Sequence, residues 1–365
     1  MKKEHNDFQI HKTIEEGSSV SQRKLSFQME PNVATVNPAM NRLLQRRFNV
    51  WRGADIKFKN YIAIARPDHW FKNVFVLPGT LIAALLTNTP FNQIAWPLFI
   101  GLISVCLVAS ANYVINEWLD AEFDRFHPVK KHRPSVVGNM KASLVYTEYC
   151  ILSVAGISLA SIVSKSFCVA IIALFVMGIL YNVKPFRTKD RIYIDVLSES
   201  INNPIRLMLG WFIVTSYLLP PISLVLGYWM GGAFLMAIKR YAEFRFINSH
   251  KLAGSYRRSF LFYTEEKLLI STFHYALSSA FFLGVFLVKY RLELLLSLPF
   301  FPLLFTWYFF IGMRQNSPAQ NPEQLYTEKK FLAYAVLLVC VVTSLLFLDL
   351  PWLHNLLKTT AFVNQ

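Results

Sequence analysis

Beyond His69 the sequence is almost continuously apolar, interrupted only by short polar stretches. Runs of this kind leave few options. About 20 apolar residues wound as a helix cover the roughly 30 Å of membrane hydrocarbon, and a helix satisfies its own backbone hydrogen bonds where water is absent. Nine spans are expected, near residues 70–87, 94–115, 142–164, 167–182, 193–217, 219–238, 272–290, 292–312 and 331–349. The fourth and eighth are the weakest; Pro299 and Pro302 break up the eighth, as the interior of a bundle tolerates. Gly227 and Gly231 form a GxxxG in the sixth, suited to close helix packing. The fold class is therefore all-α, a polytopic membrane protein of about nine transmembrane helices. No repeat of fixed period stands out.

Composition agrees: 54% of the chain is hydrophobic and 16% charged, which excludes a disordered chain, a disulfide scaffold and an ordinary soluble enzyme. The four cysteines, Cys106, Cys150, Cys168 and Cys340, lie in apolar runs and read as packing residues. The formal net charge of +15 is unusual for so apolar a chain. With the spans above, 31 of the 37 Lys and Arg fall on the side of the N-terminus, and Lys165, Lys289, Arg291 and Lys358 on the other. Positive residues mark the cytoplasmic side. The N-terminus is thus expected in the cytoplasm and the C-terminus outside, the membrane being a bacterial inner (plasma) membrane. Topology accounts for the charge, so no nucleic-acid surface is needed.

Residues 1–59 read as a polar tail with no signal-peptide core. Its second part, from about Asn41, interleaves Leu, Phe and Trp with Arg and Lys, as in a basic segment on an anionic membrane face. The transmembrane domain is expected over 60–350, followed by a short C-terminal tail at 351–365.

Polar residues at the span ends carry the chemistry. Asn116, Asp120 and Asp124 close the second span at i, i+4, i+8 spacing, which places them on one helix face over two turns. Hard oxygen ligands on a rigid stripe suit Mg²⁺, which usually bridges to phosphate oxygens. Arg125, His127, Lys130, Lys131, His132 and Arg133 follow directly, and carboxylates beside cations are what a Mg–diphosphate site requires. A second group runs from Tyr181 and Lys184 to Asp195, Glu199, Asn202 and Arg206, making one face of the fifth span polar deep into its length. A third group, Lys239-Arg240-Tyr241-Ala242-Glu243, ends the sixth span. A fourth, Arg66 to Asn73 with His69 and Lys72, precedes the first. All four converge on one membrane face. There is no Walker loop, GxGxxG, HExxH or GxSxG.

These motifs resemble the UbiA-type intramembrane prenyltransferase superfamily over about residues 60–350. RPDHWFKN, the N-E-x-x-D-x-E-x-D-R-x-H-P-x-K-x-x-R-P run, YxxK and KRYAE are similar to the decaprenyl-phosphate phosphoribosyltransferase branch. Glu117 stands where that branch commonly has Asp. The resemblance implies a helical bundle around a central cavity, capped on the cytoplasmic side, with Mg²⁺ as cofactor. It implies that Asn116, Asp120 and Asp124 hold Mg²⁺ and diphosphate, and that Lys72, Lys130, Arg133 and Lys184 contact phosphates. Tyr181, Asp195 and the Lys239–Glu243 group complete the chamber. The activity implied is transfer of 5-phosphoribose from phosphoribosyl diphosphate to a polyprenyl phosphate lipid. Two other readings stand beside it: an aromatic or tetrapyrrole prenyltransferase using a prenyl diphosphate, and a polytopic transporter. A homo-oligomer is compatible with the sequence.

Overall fold

The computed structural model describes residues 58–357, apart from 139 and 321. The tail expected over 1–59 therefore lies outside the described residues except for its last two, as does the chain beyond Leu357. Every regular element among the described residues is helical. Among the described residues, seven helices are long and apolar enough to cross a membrane: α1 Phe58–Thr87, α2 Phe91–Asp124, α3 Ala142–Val163, α4 Lys165–Asn182, α7 Ile222–Ile247, α8 Glu265–Tyr290 and α10 Lys329–Phe347.

The fifth and eighth expected spans are interrupted. The fifth is split into α5 Ile194–Ser200 and α6 Asn202–Val214. Pro204 explains the break: it has no N–H to offer the Ser200 carbonyl one turn back. The eighth becomes a 3₁₀ turn, Leu292–Ser297, then α9 Phe300–Met313, with Pro299 at its start. The fourth, expected to be weak, is one continuous helix, capped by the Ser164 hydroxyl accepting from the Phe167 N–H. Pro351–Leu357 is helical where a tail is expected.

Two helices are shaped by their polar ends. α1 is bent at Arg66, whose φ of 49° is costly for a residue with a Cβ, and continues as a 3₁₀ helix over Pro67–Val76. An ion pair holds the bend: Arg66 donates from Nε and Nη2 to the buried Glu117 on α2, at 3.0 and 2.6 Å. α2 is 34 residues long. At 1.5 Å per residue it measures about 50 Å, well beyond the hydrocarbon thickness, so the Asn116–Asp124 end projects out of it.

Close helix contacts rest on small residues. A Cβ on Gly79 would lie 1.9 Å from the Leu207 carbonyl oxygen, and one on Gly210 would lie 1.9 Å from that of Val76. The backbones of α1 and α6 thus touch directly, and the Thr80 hydroxyl donates to the Gly210 carbonyl at 3.1 Å. Gly227 and Gly231 serve the α7–α8 contact as expected: Leu283 packs on Gly227, and the Ser279 hydroxyl donates to the Gly227 carbonyl. Phe99, Ile151, Phe273 and Val336 face outward, as lipid-facing positions do.

Candidate active site

The end of α2 holds the expected triad on one continuous helix, but its three side chains turn to different partners. Asn116 Nδ2 donates to Asn182 Oδ1 on α4 at 2.5 Å, and lies 3.4 Å from Asp120 Oδ2. Asp120 Oδ1 accepts from Arg187 Nη2 at 3.0 Å and pairs with Lys189 Nζ at 2.5 Å. Asp124 is buried and paired with Arg133 Nη1 at 2.5 Å. The stripe is therefore read out by two connections, 125–141 and 183–193, each laying cations along it.

The facing wall comes from α5, α7 and the connection between α7 and α8. Glu199 accepts from the Tyr181 hydroxyl at 2.7 Å and from Lys239 at 3.1 Å, and it pairs with Arg240. Glu243 is almost fully buried and pairs with Lys130, with Arg240 at 3.3 Å, and with the Tyr256 hydroxyl at 3.0 Å. Asp195 is sealed from solvent, taking hydrogen bonds from Tyr263 at 2.7 Å and Ser259 at 3.0 Å. It also lies 3.5 Å from Arg240 and 3.7 Å from Arg257. Buried carboxylates are tolerable only with such partners. Lys130 reaching Glu243 and Tyr256 ties the 125–141 connection to the 248–264 connection, closing one end of the bundle.

Beneath this closure lies a cavity of about 670 Å³. Of the expected residues it is lined by Arg66, Lys72, Asn116, Asp120, Lys130, Arg133, Tyr181, Glu199, Arg206, Lys239 and Arg240. Asp124, Asp195 and Glu243 stand behind the lining and hold cations that reach it: Arg133, Arg257, Lys130 and Arg240. Two expected residues are not brought in. Lys184 is exposed, and Arg125 is exposed with its Nε on the Glu122 carbonyl. The chain turns so that Arg187 and Lys189, three and five positions after Lys184, take the inward places. Arg187 adopts φ 29° there, backbone strain held by its bonds to Asp120, Asp190 and the Asn182 carbonyl.

Reading by sequence missed Arg187, Lys189, Tyr256 and Arg257, and treated Glu117 only as a variant residue. The two cations at 187 and 189 sit in the same polar run as Lys184. Nothing in the sequence links Arg257 to Tyr181, 76 positions away, to which its Nη1 donates at 3.3 Å.

The charge states follow from burial and partners. Burial lowers the Lys189 ammonium to about 8, with Asp120 opposing the fall and Arg187 adding to it. Burial likewise pulls Lys130 below its ordinary value against the pull of Glu243. For Arg257 burial acts downward, but Tyr181, Tyr256, Glu243 and Asp195 around it hold the guanidinium well above its usual value. The Tyr256 hydroxyl is raised well above the tyrosine range by burial and by Glu243, so it is a donor at neutral pH.

The lining divides in two. Eight Lys and Arg face two carboxylates, Asp120 and Glu199, toward the closed end, so the cavity has a net positive wall. The rest is mainly apolar, including Phe234, Leu283, Leu304, Phe305 and Phe331. No group of three or more His, Cys, Asp or Glu converges among the described residues. Among the oxygen-bearing side chains that line the cavity are Asn116 and Asp120 on α2, and Glu199 and Asn202 on α5 and α6. The Asn202 Oδ1 is buried without a hydrogen-bond partner. Asn112 Oδ1, also on the lining, is the second such orphaned acceptor, and hard oxygen donors of this kind fit a cation such as Mg²⁺.

The fold and cavity define a polytopic helical membrane protein with a cation-rich chamber at one end. The chain belongs to the UbiA prenyltransferase family, whose model matches residues 76–334. It is 27% identical over 209 residues to the decaprenyl-phosphate phosphoribosyltransferase of Mycolicibacterium smegmatis, covering 57% of this chain and 63% of that protein. It is 31% identical over 212 residues to the protein of the same name from Corynebacterium glutamicum, covering 57% and 60%. The chain thus matches less than two thirds of the length of these relatives. A UbiA homologue from Archaeoglobus fulgidus, solved bound to DMAPP and Mg²⁺, has a TM-score of 0.59 at 18% identity, covering 80% of this chain and 100% of that one. The chain is an integral membrane protein with that helical fold.

Proposed function

We propose that the cavity is the active site of a Mg²⁺-dependent transferase that moves 5-phosphoribose from phosphoribosyl diphosphate to a polyprenyl phosphate. The observation that carries this reading is the lining: eight cations against two carboxylates, continuous with an apolar half. A prenyl diphosphate brings one diphosphate. Phosphoribosyl diphosphate and a polyprenyl phosphate together bring a diphosphate and two phosphate monoesters, which matches a wall so rich in Lys and Arg. The apolar half suits a lipid chain, and the relatives named decaprenyl-phosphate phosphoribosyltransferase support the same pairing of substrates.

In this reading an oxygen of the acceptor phosphate bonds to ribose C1 as the C1–O bond to diphosphate breaks. The diphosphate leaves with the electron pair. The acceptor is already an anion, so no proton need be removed. Asn116, Asp120, Glu199 and Asn202 would hold Mg²⁺, which when bound neutralises part of the diphosphate charge. Lys239, Arg240 and Arg257 stand where they can take the remaining charge, and oriented cations in a water-poor site stabilise a departing anion strongly. The closure by Lys130 and Tyr256 keeps water from the oxocarbenium-like C1. The charge distribution supports placing the cation-rich end on the cytoplasmic side of a bacterial plasma membrane, with the N-terminus on the same side.

The test is direct. Purified protein with Mg²⁺, labelled phosphoribosyl diphosphate and polyprenyl phosphate should move label into the lipid phase. No label in lipid, together with prenylation of an aromatic acid from a prenyl diphosphate, would overturn the proposal in favour of a prenyltransferase.

A further inference from the structure

The cations at the closed end have carboxylate partners: Lys239 and Arg240 with Glu199, Lys130 with Glu243, Arg133 with Asp124, Arg257 with Asp195. Arg206 differs. Its Nε donates to Asn73 Oδ1 at 3.1 Å and its Nη1 to the Asn202 carbonyl at 3.3 Å, both neutral acceptors. No carboxylate among the described residues lies within ion-pair reach of it. The side chain is buried, yet it lines the cavity.

Depth sets it apart as well. Arg206 lies on α6, beyond the break at Ile201 that follows Glu199, and four positions or about 6 Å further along the helix than Asn202. Tyr113 and Leu174 line the cavity seven positions from Asp120 and Tyr181, so three helices place the same level there. Charged lining ends at this depth, where Tyr113, Leu174 and Asn203 are neutral. A guanidinium held rigidly by α1 and by its own helix, with no counter-charge, favours an anion supplied from outside the protein.

We propose that Arg206 binds the phosphate of the lipid acceptor, on the lipid side of the metal and the donor diphosphate. This rests on the transfer reading above and names the residue that recognises its acceptor. The same monoester chemistry exists in the 5-phosphate of the donor. The lipid is favoured because a water-soluble donor meets the carboxylate-paired cations of the cytoplasmic end first, whereas a phosphate trailing a polyprenyl chain from the apolar half meets Arg206 first. Asn73 is then a positioning residue, aiming the guanidinium through its Oδ1.

Ligand-induced shifts in melting temperature of the full chain in lipid nanodiscs test this. The titrants are polyprenyl phosphate, polyprenol, and, each with Mg²⁺, phosphoribosyl diphosphate and a prenyl diphosphate; the variants are Arg206→Gln and Arg206→Lys. Loss of a charge-assisted contact predicts that Arg206→Gln needs about ten- to a hundredfold more polyprenyl phosphate for the same shift. Arg206→Lys should fall between it and the wild type, which keeps the test alive should the glutamine variant misfold. Donor titrations should shift far less than the polyprenyl phosphate titration in both variants, and polyprenol titrations should not distinguish them from the wild type. An unchanged requirement for polyprenyl phosphate, with the wild type responding to both substrates, would overturn this inference alone. A loss confined to the donor titration would assign Arg206 to the 5-phosphate instead. If the wild type responds to prenyl diphosphate and not to polyprenyl phosphate, the transfer reading falls and this inference with it.

Discussion

Removing the Glu243 carboxylate should unlatch the closed end of the cavity. Its side chain is 2% exposed. It faces Lys130, Arg240 at 3.3 Å, the Tyr256 hydroxyl at 3.0 Å and His127 Nε2 at 3.6 Å. Glu243→Ala leaves Lys130 without its carboxylate, while Arg240 keeps Glu199 and Asp195. Breaking a buried pair by removing one partner costs about 3–5 kcal/mol. Glu243→Gln keeps the shape and an acceptor for Tyr256, so it should cost less, about 1.5–3 kcal/mol for the lost charge assistance. Reversible unfolding in mixed micelles measures both. A cycle with Lys130→Met separates the pair from its surroundings: with Glu243→Gln, the double variant should lose less than the two single losses combined, because neither charge is then stranded. Glu243→Ala as stable as the wild type, or a double variant showing simple additivity, would refute the latch. Turnover should fall in step with stability in Glu243→Ala, since the closure excludes water.

Asp120→Asn should abolish turnover in the transferase assay while the protein stays folded in membranes; Asp124→Asn, behind the lining, should retain measurable turnover with a raised donor KM as Arg133 loses its anchor. Equal activities in the two variants would reject that division. Lys130 titrates below its ordinary 10.5 because burial disfavours its charge, so the unfolded chain binds that proton more tightly. Its contribution to stability therefore rises with pH from the depressed value toward 10.5, and comparing unfolding of the wild type and Lys130→Met across that interval should show the difference. Gly210→Ala drives a methyl into the Val76 carbonyl, so α1 and α6 must separate; a loss of about 1–3 kcal/mol in the same unfolding assay is expected. An unshifted transition would mean that the contact yields without cost.

Much of this molecule could be read locally. Apolar run length reports a span because the hydrocarbon has a fixed thickness and the backbone must bond to itself inside it. Seven expected spans are long helices, and the two that are broken carry Pro204 and Pro299 at or near their breaks. The same-face spacing of Asn116, Asp120 and Asp124 is likewise a property of one helix. What spacing could not supply is the rotation of that helix against its neighbours, which leaves Asp120 on the cavity and Asp124 behind it. Nor could it tell which cation of the 184–191 run turns inward: Lys184 is exposed, whereas Arg187 and Lys189 meet Asp120. Arg257, Tyr256 and the Glu117–Arg66 pair became visible only when distant connections closed over one another. Charge type and helical period are set by neighbours in the chain, so the sequence determined the membrane fold and the polar stripes. Which charges meet depends on packing between helices, where a buried carboxylate must find its cation wherever the chain brings one, and that only the tertiary structure decided.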